Sequence, residues 1–224
     1  MIVSRFKSPA IGAITVIAAA LAIAWLWLLI MGKASYWTTL FFGYSYHMQG
    51  AHLASCVFLI VTGLVYHRWI APLGIGRITL RASIAPAIAM FALYTTEHAY
   101  NQLTGQPAET WMIDLLNQPF WPLLTTFIVI LTVVPLGEEI LFRGVLLNVF
   151  RTTGRWTIWI GIAVIAIIFA KAHSQYQNLS TLLEMAAVSV ICSWARLRSG
   201  GLALPVLLHI FAAILAVVYT WFGL

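Results

Sequence analysis

Charge is the scarcest property of this chain: only 8% of its 224 residues are Asp, Glu, Lys or Arg, while 62% are apolar or aromatic. An ordinary soluble domain carries about a quarter charged residues, so that class is excluded. Cysteine is nearly as rare. Cys56 and Cys192 each lie inside an apolar run without a neighbouring thiol, which excludes a disulfide framework and a cysteine-built metal site. Internal repeats, low-complexity tracts and a glycine-rich phosphate loop are all absent from the sequence. Twelve basic against six acidic residues leave a formal charge of +6. In a soluble protein that balance would suggest nucleic acid. Scattered among apolar runs, these few cations cannot build a basic groove, so no nucleic-acid partner is expected.

What the chain has instead is long apolar runs. About 20 such residues span the hydrocarbon core as a helix, because lipid offers backbone amides no other partner. The clearest runs are Ile11–Met31, Ala51–Tyr66, Phe120–Pro135 with its continuation, Trp156–Ala172, Leu179–Ala195 and Leu202–Phe222. Another, Ala82–Tyr100, is interrupted by Pro86 and ends on Glu97 and His98. The expectation is an all-α polytopic integral membrane bundle of about seven helices, one domain over 1–224. Within it, 1–118 supplies N-terminal spans and 120–222 a functional core. The first run follows Arg5 and Lys7 but is too long for a signal and lacks a small-x-small site, so it reads as a retained anchor.

The basic residues then test the topology. Arg5, Lys7, Arg68, Arg77, Arg81, Arg151, Arg155, Arg196 and Arg198 all fall on one side if seven spans alternate. Residues 101–118 hold no Lys or Arg but carry Glu109 and Asp114, as an outer loop would. The N-terminus is therefore expected in the cytoplasm and the C-terminus outside. The tryptophans near span ends (Trp37, Trp69, Trp111, Trp121, Trp156, Trp221) fit the bilayer interface.

Chemistry is to be sought where charge enters the bilayer, since such groups face a cavity or a partner. The fourth span reads Val134-Pro-Leu-Gly-Glu-Glu-Ile-Leu-Phe-Arg-Gly144. On a helix Glu139 and Arg143 are four apart and can pair, whereas Glu138 points about 100° away. A carboxylate left unpaired in a low-dielectric site suits general-base work; the structural alternative has both glutamates neutralising Arg143. Phe169 and His173 share a face of the fifth span, and His209 lies in the seventh. A water held between a carboxylate and one imidazole could attack, with a second imidazole steadying an oxyanion.

These residues, in this order, resemble the CAAX protease and bacteriocin-processing family of glutamic intramembrane endopeptidases. Glu138-Glu139-x-x-x-Arg143, Phe169-x-x-x-His173 and His209 carry the likeness, with Pro135, Phe142-Arg143-Gly144 and Pro205-Val-Leu-Leu-His209 as matching flanks. The resemblance covers about Phe120–Phe222. It implies that Glu138 activates water, with His173 sharing that water and His209 helping to bind the oxyanion. Glu139 and Arg143 would hold the cavity together. It implies a metal-free mechanism without cofactor, a lipidated or membrane-associated protein or peptide as substrate, and residence in a bacterial inner membrane. The family's pattern has Asn or Asp four residues after the last histidine, where this chain has Ala213. Gln175, Gln177 or Asn178 would then substitute as a donor, or the enzyme is slow, or the chain is a non-catalytic partner-binding or immunity protein.

Other readings compete. Glu138, His173 and His209 make a three-ligand set that zinc would accept, although no His-Glu-x-x-His supports it. His52 and His67 on the second span would suit haem only with a matching pair elsewhere, which is missing. A transporter would need a repeat relating the two halves. His47 and His98 fall in outer segments, and Glu184 is expected to reach the outer interface or to line the same cavity. A helical ruler at about 1.5 Å per residue sets Glu138 and His209 toward the cytoplasmic half, yet sets His173 near the outer face.

Overall fold

The computed structural model describes residues 8–151 and 156–223, so the expected anchoring cations Arg5, Lys7 and Arg155 lie outside the described residues. Among these, eight helices and no strand are formed. They are α1 (Pro9–Phe42), α2 (His47–Trp69), α3 (Leu80–Thr104), a short α4 (Thr110–Leu116), α5 (Phe120–Arg151), α6 (Thr157–Ala172), α7 (Leu179–Ser199) and α8 (Ala203–Gly223).

Their ends follow local chemistry. Pro9 starts α1, where its missing N–H costs nothing. Thr79 caps α3 by accepting from the Ala82 N–H. Gly105 and Gly200 close α3 and α7 in the left-handed conformation. α1 runs 34 residues, well past the expected end at Met31, because nothing after Gly32 breaks it until Gly43.

The chain is an all-α polytopic membrane bundle. α1, α2 (with the turn before it), α5, α7 and α8 are long and apolar enough to cross a membrane. α6 is a shorter apolar helix of 16 residues, about 24 Å. α3, at 25 residues, is long enough but is diluted by Arg81, Glu97 and other polar groups. The count of seven rests on these two. Large apolar side chains, among them Ile14, Leu21, Trp25, Leu28 and Leu64, stand exposed around the bundle, an outer surface that suits lipid.

At one end, residues 70–79 fold back as a non-helical segment under the α7–α8 turn. Arg77 N–H bonds Ser199 O at 2.9 Å, Leu202 N–H bonds Gly74 O at 3.1 Å and Ala203 N–H bonds Ile75 O at 3.0 Å. Arginines fasten the same end. Arg196 donates to the carbonyls of Leu73 and Arg143, Arg198 to that of Arg81, and Arg151 bonds Asn148, whose amide donates to Pro72 O. The four arginines Arg81, Arg151, Arg196 and Arg198 thus gather at one end, as alternating spans require. Arg196, expected as a loop charge, is buried and hydrogen-bonded instead.

At Gly201 the α7–α8 turn has no room for a side chain. A Cβ on Gly201 would stand 1.9 Å from Gly76 N and 2.0 Å from Ile75 C, both backbone atoms that no rotamer change can clear. Gly201→Ala is expected to lower stability by about 3 kcal/mol, the upper end for overpacking. Gly32→Ala, whose Cβ would meet nothing within 4 Å, should leave the melting temperature in detergent unchanged or higher. Equal melting temperatures for the two variants would contradict the close approach.

Candidate active site

α5 is not a regular α-helix. It widens into π-helical turns at Val129–Val133 and Ile140–Leu146, leaving a short α segment, Val134–Glu139, between them. Pro135 explains the first: it offers no N–H to the preceding turn, and its ring pushes that turn open. The segment carrying Pro135, Glu138 and Glu139 is thereby set off from the rest of the helix. Its two glutamates are both buried.

The two carboxylates have different surroundings. Glu139, fully buried, accepts from Arg143 at 3.0 Å through Oε1, and the same oxygen accepts from His209 Nδ1 at 3.0 Å. Arg143, also fully buried, donates a further bond to the Ser189 carbonyl at 3.1 Å. Its guanidinium carbon lies 4.8 Å from the Phe169 ring centroid, a cation–π contact. Glu138 shares none of this. Its Oε2 is buried without a hydrogen bond and stands 4.0 Å from His173 Nε2 and 3.9 Å from His209 Nε2. The alternative in which both glutamates neutralise Arg143 does not describe the structure.

Both imidazoles are oriented by their other nitrogen. His173 follows the last residue of α6, and its Nδ1–H donates to Phe169 O at 2.8 Å, because a carbonyl can only accept. His209 Nδ1–H donates to Glu139. Each ring is therefore fixed with Nε2 toward Glu138. Phe169, fully buried, packs edge-on to Phe142 and His209 and tilts against His173 at 4.4 Å. It holds both histidines and Arg143 from one side.

The structure removes the apparent conflict of depth. Measured from Arg151 at the end of α5 and Thr157 at the start of α6, Glu138 lies about 20 Å along α5 and His173 about 24 Å along α6. They differ by less than one turn. The earlier ruler started from the far end of a 32-residue helix, about 48 Å long, which overreaches the hydrocarbon core. His209 is only six residues into α8, but the α7–α8 turn is itself sunk into the bundle, with Leu202 packed where Gly144 would carry a Cβ.

A cavity of about 320 Å³ opens on Glu138, His173 and His209, within the range of sites for small ligands and short peptide segments. Trp27 of α1, His52 of α2, Tyr94 of α3 and Trp111 of α4 also line it, so the N-terminal helices are part of the site. His47 and His52 were not read as site residues from the sequence. A histidine inside an apolar span was the available signal for His52, but its rotation about the helix was not. Of the three substitutes considered for Ala213, only Gln175 lines the cavity beside it. The backbone N–H groups of Gln177 and Asn178 are held by Glu109 at 2.9 and 3.0 Å, and the Asn178 amide donates to Pro107 O. Tyr176, in the loop between α6 and α7, lines the cavity too; burial, reinforced by Glu184, Glu109 and Glu138, pushes its phenol far up, so it stays a neutral O–H.

Zinc fits this arrangement poorly. The ligand atoms of a tetrahedral zinc stand roughly 3.3 Å apart for bonds near 2.0–2.1 Å, closer than Glu138 Oε2 stands to either imidazole nitrogen. Among the described residues, no group of three or more His, Cys, Asp or Glu is spaced to hold a metal ion.

Comparison with known proteins adds the lineage. Residues 119–215 match the family described as type II CAAX prenyl endopeptidase, Rce1-like. Over 171 residues the chain is 40% identical to an uncharacterized 24.3 kDa protein of Escherichia coli, covering 75% of this chain and 79% of that one. The chain belongs to the CAAX protease and bacteriocin-processing family. Membership places its function in the CAAX-protease class of membrane-embedded proteins. The matched segment contains Glu138, Glu139, Arg143, Phe169, His173, His209 and Ala213. No solved structure matches the chain.

Proposed function

We propose that this CAAX-protease family member is an intramembrane endopeptidase that hydrolyses a peptide bond of a membrane-associated or lipidated protein or peptide in a bacterial inner membrane. The observation that carries this reading is the buried, unpartnered Oε2 of Glu138, about 4 Å from two imidazole nitrogens. A water making two hydrogen bonds of about 2.8 Å at roughly a right angle spans about 4 Å, so one water fits between Glu138 and His173.

That water gives a proton to Glu138, shares its other hydrogen with His173 Nε2, and attacks the scissile carbonyl carbon. His209 carries both protons, held by the Glu139 carboxylate, and its Nε2–H meets the developing oxyanion. With Glu138 and Glu139 ionised, Arg143 and a doubly protonated His209 balance the cluster. The protonated Glu138 then returns its proton to the leaving nitrogen as the C–N bond breaks, yielding a carboxylic acid and an amine. Where the family has an amide or acid, Ala213 offers no donor; the Tyr176 hydroxyl and the Gln175 amide are the neutral donors on the same cavity.

Ala213 also favours a second reading, a non-catalytic membrane protein that binds a peptide in this cavity. Purified protein incubated with lipidated and membrane peptides separates the two. The peptidase is expected to cleave at least one, to lose about 100-fold or more in rate with His173→Ala, and to keep its rate with a strong chelator. Retained cleavage in His173→Ala would remove the proposed site, and loss on chelation would restore zinc. By the positive-inside rule the arginine-rich end is cytoplasmic, placing the cavity, which runs from Glu138 toward His47 and α4, in the outer half. Intact spheroplasts should then cleave peptide added outside. A need for permeabilisation would reverse the orientation.

A further inference from the structure

Beside the catalytic cavity lies a second one of about 110 Å³, room for roughly three or four waters. The two share Tyr94, Met112, Tyr176, Met185 and Ala216 as walls. The second is acidic: Glu97, Glu109 and Glu184 line it, and no Lys or Arg does among the described residues. In a chain with only six acids, half of them face this one cavity.

Their states differ. Both Glu109 oxygens accept backbone N–H groups, from Gln177 and Asn178, so Glu109 is committed to joining α4 to the start of α7. Glu97 Oε1 accepts from the Asn101 amide and, at 3.4 Å, from Thr181 Oγ1. Glu184 lines this cavity and not the first. It is 5% exposed, on α7 at the cavity wall, and its Oε1 has no hydrogen-bond partner. A buried acceptor without a donor is costly in an apolar bundle. His98 also lines the cavity, its ring tilted against that of Tyr219 at 4.9 Å.

We infer that this cavity is a subsite for a cationic group, an ammonium or guanidinium, supplied by a basic side chain of the peptide bound in the neighbouring cavity. The inference rests on the peptide-binding reading above. An organic cation fits better than a metal ion, which would need three or more ligands at ligand spacing, and the described residues offer no such group. A guanidinium brings five N–H donors and can serve Glu184 and Glu97 together. The shared residues make the two cavities neighbours, and in this inference one extended chain puts its scissile bond at Glu138 and a side chain at Glu184.

Binding tests this without relying on cleavage. In detergent, ethylguanidinium should raise the melting temperature of the wild type, and its neutral isostere ethylurea should not; Glu184→Gln or Glu97→Gln should abolish the difference, and Glu138→Gln should retain it. On the Glu138→Gln background, peptides scanned with arginine or its neutral isostere citrulline should differ in Kd by about 10-fold at one position. Adding Glu184→Gln should reduce that ratio to near one. Equal responses to ethylguanidinium and ethylurea would overturn the cation site. Cation binding with no arginine preference at any position would overturn its assignment to the substrate. A wild type that binds arginine peptides preferentially yet cleaves none would leave the subsite standing and remove the peptidase reading instead.

Discussion

Glu138→Gln is expected to slow peptide hydrolysis by about 10³-fold, within the span attributed to a positioned general base, while the fold is kept. The side chain keeps its shape but loses its charge and its ability to take a proton. Because Oε2 has no donor in the resting structure, nothing is broken by the change. The melting temperature should therefore stay close to that of the wild type: no hydrogen bond is lost, although the cluster gives up one negative charge opposite His209. The rate in a peptide-cleavage assay and the melting curve in the same detergent check the two halves together. A wild-type rate in a folded variant would remove Glu138 from the chemistry.

At Arg143, five residues along, the change is expected to fall on stability instead. Arg143→Leu is expected to destabilise the protein by about 3–5 kcal/mol, the usual effect of removing one partner of a buried ion pair. Arg143 is fully buried, bonds Glu139 and the Ser189 carbonyl, and lies against Phe169. Without it Glu139 keeps only His209. Glu139→Gln in the Arg143→Leu background should recover part of the loss, because the stranded charge is gone. Strictly additive effects in a double-mutant cycle of melting free energies would show that the pair is not coupled. Activity should fall with stability here, since the imidazole of His209 is oriented by the same carboxylate.

These two expectations differ because neighbouring glutamates meet different surroundings, and only half of that difference is written locally. Glu139 and Arg143 are four residues apart, so their pairing follows from helical geometry. The Ser189 and His209 contacts join residues 46 and 70 positions apart, and no local rule supplies them. The convergence of Glu138, His173 and His209 was legible from three ionisable groups at membrane depth and from family likeness, while a ruler run along separate helices set Glu138 and His209 at a different level from His173. The ruler failed because α5 is longer than the bilayer and the α7–α8 turn is sunk, both properties of packing.

The same limit explains His52 and Glu184. Each stood out as a polar residue in an apolar run, but which way it faced depends on the rotation of its helix against its neighbours. Rotation is weakly encoded where lipid and core are both apolar, because the hydrophobic pattern that orients a helix in water is muted. Arg196 shows the converse. Its charge fits the orientation of the chain, yet the side chain is spent on the carbonyls of Leu73 and Arg143 inside the bundle.

By itself the sequence determined membrane residence, the helical class, the Glu139–Arg143 pair and the place where charge persists against lipid. All of these depend on composition and on spacing within one helix. The tertiary structure decided which carboxylate is left without a partner, which nitrogen of each histidine faces it, and that half of the chain's acids line a second cavity beside the first. Those outcomes depend on the depth and rotation of helices against one another, which the packing of Gly201 on Gly76, the opening of α5 at Pro135 and the burial of Phe169 fix only in three dimensions.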